Sequence, residues 1–108
     1  MYTGQDLIQD NAYLYSMWSG RPVVYQGRVV GSFKNGQARF SSFKKAHQCS
    51  LHEGELFNTV VWFKERNDQK AKELLILYEE RMIRNAEMKI FKHRGTIQMI
   101  ETMEVIMF

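Results

Sequence analysis

The sequence predicts an α+β protein in which a small antiparallel β-sheet, a meander or partly open barrel, precedes a long C-terminal α-helix that is either continuous or broken near Gly95. Three observations carry this. Short apolar and aromatic runs between Tyr13 and Phe63 are separated by glycine-containing turns. After Asp68 the period changes: Ala71, Leu75, Tyr78, Met82 and Ala86 step by four and three residues, and Ile76, Ile83, Ile90 and Ile97 recur every seven. The single proline is Pro22, so none interrupts the second half of the chain.

Met1 to Asp10, with the aliphatic pair Leu7 and Ile8, reads as a short helical turn or a packing arm. Tyr13 to Trp18 is an aromatic run that suits a first strand, closed by a turn at Ser19-Gly20 ahead of Pro22. Val23 to Phe43 reads as a meander with a tight turn at Gln26-Gly27 and a hairpin at Asn35-Gly36. Asn-Gly supplies the positive φ that a type I′ turn needs at both central positions. With those two residues as the loop, Val29, Gly31, Phe33, Ala38 and Phe40 collect on one face, and Arg28, Val30, Ser32, Lys34, Gln37, Arg39 and Phe43 on the other. Ser41 to Gly54 is polar and without period, an ordered link or a mobile flap. Glu55 to Phe63 is apolar on both alternating faces and suits a strand that is central or covered by the helix.

Asn67 or Asp68 serves as N-cap of the helix, because a short side-chain oxygen accepts from amides of the first turn. Residues 1–66 thus form a small basic β domain, and 67–108 a long amphipathic helix or helical hairpin for oligomerisation. A continuous helix of about 38 residues spans roughly 57 Å at about 1.5 Å per residue, longer than the β domain can cover. The residues expected at an oligomer interface are Leu75, Ile76, Met82, Ile83, Ile90 and Ile97.

Hydrophobic residues at 44% and charged residues at 25% are globular values and exclude wholesale disorder. A lone cysteine, Cys49, allows no internal disulfide, and the first residues lack the charged-then-apolar pattern of a leader. Both predict a cytoplasmic protein. The longest uncharged apolar run, Leu74 to Tyr78, is far short of the roughly 20 residues of a membrane span.

His47, Cys49 and His52 fall close together, with Glu53 and His93 as further donors, but a structural zinc site needs four ligands at recognised spacings, and none is assigned. Cys49 with His52 lacks a legible third group to orient the base, and Glu79-Glu80 reads as a solvated helix face. No phosphate-cradling glycine motif is present. These residues predict neither an enzyme nor a bound cofactor.

Charge distribution is more telling than the net +3. Arg21, Arg28, Lys34, Arg39, Lys44 and Lys45 occupy a segment with no acidic residue, and eleven of the fourteen aromatics lie in residues 1–66. Small β domains bind nucleotides or single strands by stacking bases on aromatics and drawing phosphates with Arg or Lys. Arg28, Arg39, Phe43, Lys44, Lys45 and Trp62 are therefore the candidate ligand-binding residues, for a nucleotide-like anion or an acidic protein, with nucleic-acid binding as the alternative.

The segment Trp62-Phe63-Lys64-Glu65-Arg66-Asn67-Asp68-Gln69-Lys70-Ala71, a strand exit running into a Lys/Glu-rich helix, resembles the C-terminal half of small proteins encoded by phages and prophages of Gram-positive bacteria. The resemblance implies a non-catalytic effector. Such an effector inhibits a host protein in the host cytoplasm, or sequesters a cyclic nucleotide signal as the Thoeris anti-defence sponges do. No ligand pocket of those sponges is matched residue by residue, so no binding residue follows from the resemblance.

Overall fold

The computed structural model describes residues 6–85 and 90–108. Strands β1 (Asp6–Trp18), β2 (Arg21–Ser32), β3 (Gln37–Ser42), β4 (Ala46–Cys49) and β5 (Val61–Phe63) are followed by helices α1 (Asp68–Asn85) and α2 (Ile90–Thr102) and by a short β6 (Ile106–Met107). They form an open sheet in the order β4-β3-β2-β1-β5, with β6 parallel to β2. The α+β class is as expected.

β1 begins earlier than the aromatic run. Asp6 to Asp10 is strand rather than helical turn or arm, and the rest of that segment, Met1 to Gln5, lies outside the described residues. Between Gln9 and Ala12 the register slips, so Asp10 and Asn11 oppose Arg28 alone. This bulge bends the strand. Ser19 and Gly20, at φ 50 and 78, close the β1–β2 hairpin.

The β2–β3 connection differs in size from expectation. Ser32 pairs with Gln37, leaving Phe33 to Gly36 as a four-residue loop, with Gly36 at φ 70 and its amide donating to Ser32 O at 2.8 Å. The pairing is displaced by two residues, and two residues is the period of the pleat. For the paired residues the expected faces survive, with Val29 opposite Phe40 and Gly31 opposite Ala38 on the inner side, but Phe33, also expected there, falls in the loop and is 42% exposed. Gln26-Gly27 is no turn. Both residues lie within β2, and a Cβ on Gly27 would come within 2.7 Å of Phe40 Cζ, so this glycine serves close strand packing.

The Ser41–Gly54 link is neither featureless nor a flap, because it contains β4 and its turn. The expected long strand from Glu55 shrinks to Val61–Phe63, preceded by a turn at Asn58 (φ 53) in which Phe57 bridges Val60. Both faces of β5 are covered, as expected. Trp62 enters the inner cluster with Leu14, Val23, Tyr25, Val29, Phe40 and Cys49; Val61 and Phe63 join Tyr15, Val24, Ala71 and Val105 on the helix side.

Helix α1 is capped by Asn67, whose Oδ1 accepts from Lys70 N at 3.2 Å. Tyr15 ties the cap to the sheet: its hydroxyl donates to Asp68 Oδ1 at 2.6 Å and accepts from Asn67 N at 2.8 Å. Arg66 grips the same carboxylate at 3.1 and 2.8 Å. Burial works to raise the Asp68 pKa, but these two partners and Lys72 outweigh it and hold the carboxyl low. Burial, reinforced by Asp68, pushes the Tyr15 hydroxyl up to about 12.

The long single helix is not found. α1 ends at Asn85 and α2 starts at Ile90, so Gly95 lies inside a helix and is not the break. The two helices pack on each other through the buried pair Glu79 Oε1 and His93 Nδ1, 3.0 Å apart. Ala86, the last member of the four-and-three stripe, lies outside the described residues. The segment after residue 67 also rejoins the sheet through β6, where Phe108 N donates to Val24 O at 2.8 Å. No helix among the described residues is long and apolar enough to cross a membrane.

Candidate ligand-binding surface

Three of the six candidate ligand residues meet at the β3–β4 turn. Ser42 N donates to Lys45 O at 2.7 Å, leaving Phe43 and Lys44 as a two-residue loop. Ser42 Oγ accepts from Lys44 N at 3.2 Å and from Lys45 N at 3.0 Å, which fixes the loop backbone. The pinned loop holds Phe43 fully in solvent.

Beside this turn lies a row of rings assembled from β1, β2, β4 and the residue that follows β6. Trp18 meets Phe108 edge-on with centroids 5.3 Å apart, Phe108 meets Tyr25 at 5.5 Å, and Tyr25 meets His47 at 5.9 Å. Lys44 Nζ stands 5.7 Å from the Phe108 ring centroid, within the range where a ring face attracts a cation. Trp18 is 50% exposed, so the row begins at the surface and passes through buried Tyr25 to half-buried His47. His47 is held towards its neutral form, first by burial and then by the charge of Lys45. His47 Nε2 is buried and meets no hydrogen-bond partner among the described residues, and the same holds for Arg21 Nε next to the Ser19-Gly20 turn. Unmet buried groups of this kind cost about 1–3 kcal/mol each.

The other three candidates are elsewhere. Arg28 projects from the outer face of β2 and pairs with Asp10 at 3.3 Å across the bulge, both side chains being exposed. Arg39 lines an open outer-face depression of about 660 Å³ with Asp6, Ile8, Val30 and Gln48. Trp62 is a correction. It is 1% exposed and its Nε1 donates to Ser50 O at 2.7 Å, so it is a core residue and presents no stacking face. Residue patterns missed Trp18, Tyr25 and Phe108 as a group. Trp18 carried a signal beside its turn, whereas Phe108 reaches the site only through β6.

The His47, Cys49 and His52 cluster does not assemble. Cys49 is buried and burial pushes its thiol up to about 11, which removes the thiolate a nucleophile needs. His52 is exposed, its ring 5.9 Å from that of Phe33. Among the described residues no three His, Cys, Asp or Glu side chains converge as metal ligands.

Of the expected interface residues, Leu75 is buried by its own chain, and Ile76, Met82, Ile83, Ile90 and Ile97 are half-buried in the hairpin. No protein-family model matches the chain, and no curated protein or solved structure is significantly similar to it.

Proposed function

We propose that this chain is a non-catalytic binding protein that takes an anionic, base-bearing ligand of the nucleotide type at the β3–β4 turn. The observation that carries the reading is the fully exposed Phe43, held on a hydrogen-bonded two-residue loop with Lys44, whose Nζ stands over the Phe108 ring that meets the half-exposed Trp18. An exposed phenyl ring costs free energy in water unless something covers it, and a base stacked on an aromatic gains about 1–3 kcal/mol. Lys44 and Lys45 supply two positive charges on the same turn, with Lys44 Nζ 5.7 Å from the Phe108 ring centroid. The outer face is a poorer anion surface, because Asp10 neutralises Arg28 and Asp6 shares the depression with Arg39.

Sequestration of a nucleotide signal, the role implied by the resemblance of Trp62 to Ala71, is one form of this reading. The second reading is binding of single-stranded nucleic acid. It is favoured by the openness of the site: Phe43 and Trp18 stand on the surface rather than inside a cavity, so a strand could cross them. Titrating the chain with ATP and with an oligothymidylate 12-mer separates the two, with Trp18 fluorescence as reporter and buried Trp62 as an internal constant. The nucleotide reading expects ATP to bind; the strand reading expects only the 12-mer to bind, with affinity falling steeply as salt rises. In either case Lys44→Glu and Phe43→Ala each weaken binding about tenfold, equivalent to about 1.4 kcal/mol. Loss of binding in Arg39→Glu with no effect of Lys44→Glu would move the site to the outer face.

A further inference from the structure

We propose that the outer face of α2 docks a second copy of this chain through an antiparallel, two-fold α2–α2 contact. The inner face of α2 is already used: His93 turns to Glu79 of α1, and Ile100 is fully buried. The opposite side carries Phe91, 88% exposed, in one line with Gly95, Gln98 and Thr102, all exposed and spaced by four, three and four residues. Arg94 and Glu101, seven residues apart and exposed, flank that line on one side, and Lys92 and Met99 flank it on the other.

This pattern is complementary to itself in one orientation. Along the outer surface of α2 the charges before Gly95 are basic, Lys92 and Arg94, and the charge after it is acidic, Glu101. A parallel two-fold pair sets the Arg94 flank of one copy against the Lys92 flank of the other, bringing like charges together. An antiparallel pair sets Arg94 of each copy against Glu101 of the other, twice by symmetry, and lays Phe91 beside Thr102 of the second copy. Gly95 then falls near the crossing point. A Cβ built on Gly95 meets nothing within 4 Å, so the lack of a side chain is not required by its own fold and leaves room for another helix to approach. A two-fold contact that uses the same patch on both copies is the commonest arrangement of soluble homo-oligomers. The contact is independent of the ligand surface and differs from a Leu75-to-Ile97 stripe, most of which the hairpin uses internally.

Sedimentation equilibrium of the full chain tests it, with circular dichroism to verify that each variant retains its helices. The expected species for the natural sequence is a dimer at twice the 12.8 kDa chain mass. Arg94→Glu or Glu101→Arg alone weakens self-association at least about tenfold, Phe91→Asp gives monomer, and the double reversal R94E/E101R restores the dimer. A natural chain that stays monomeric across the micromolar range overturns the proposal. So does a dimer unmoved by either single reversal, or a double reversal no better than the singles.

Discussion

In the sheet, side chains on both faces are fully withdrawn from water: Leu14, Val23, Val29 and Phe40 on the inner side, Tyr15, Val24 and Val61 on the helix side. In the helical hairpin the buried residues are Ala71, Leu75 and Glu79 on α1 and Ile100 on α2, all in the half nearer the sheet. Beyond Glu79, and before Ile100, no described hairpin residue is fully buried. Two packed helices can hide only one face each, whereas a curled sheet with helices on its back hides both. Stability therefore resides in the sheet, and the described part of the hairpin beyond Glu79 contributes less of it.

Substitutions that compare the two regions should show this. The largest effect is expected for Trp62→Ala, which leaves a cavity and strands Ser50 O, at about 3–5 kcal/mol in denaturant unfolding. Ile83→Ala in the half-buried tip should cost only about 1–2 kcal/mol; equal losses would erase the contrast. Next comes the latch between the regions. Tyr15→Phe removes the hydrogen bond to the Asp68 carboxylate and the one accepted from Asn67 N, for a loss of about 1.5–3 kcal/mol.

The latch also sets the pH response. Because the folded-state pKa of Asp68 lies below its ordinary 3.8, its contribution is present above that value and lost as pH falls through the depressed one. Tyr15, raised from 10.0 to about 12, contributes fully below pH 10 and loses the contribution as pH rises towards 12. Stability of the natural protein should decline at both limits, and Tyr15→Phe should flatten both declines. An unchanged pH profile in that variant would remove the latch from the account.

Two glycines should give effects of opposite sign, and the smallest effect of all is expected at Gly95. A Cβ on Gly31 would sit 2.6 Å from Leu51 Cδ2 and 2.8 Å from Ala38 Cβ, so Gly31→Ala should destabilise by about 1–3 kcal/mol. Gly95 is helical and open within its own copy, so Gly95→Ala should raise the melting temperature of the dilute, monomeric protein through a gain of up to about 1 kcal/mol.

These glycines also show what the residues reveal on their own. Alternation sorted the paired residues of the Asn35-Gly36 hairpin correctly even with its register displaced, because a slip of two residues leaves a strand residue on its face, while Phe33 dropped out of the inner face into the enlarged loop. Asn67 was legible as a cap because capping depends on neighbours three residues away. Gly27 looked like a turn because glycine marks both turns and close approaches, and only the position of Phe40 decides between them. Gly95 attracted the expected helix break as the weakest helix former in its stretch, yet it lies within α2, Ile90–Thr102. Asp6 to Asn11 hid as a strand because its bulge breaks the alternation. At the candidate site Phe43, Lys44 and Lys45 were legible through local composition, while Trp62 was misplaced because aromaticity alone does not distinguish a stacking face from a core. Phe108 was invisible, since a two-residue strand after a helix has no period to read.

The most direct test of the central claim, that the basic aromatic end of the sheet is the binding surface, is a map of amide and indole shifts in ¹⁵N-labelled protein as ATP and then the oligothymidylate 12-mer are added. The account predicts that shifts concentrate on Trp18, Tyr25, Phe43, Lys44, Lys45 and Phe108, with Ile8, Val30, Arg39 and the hairpin nearly unmoved. Shifts centred on the Ile8 and Arg39 depression, or none with either probe at millimolar concentration, would contradict it.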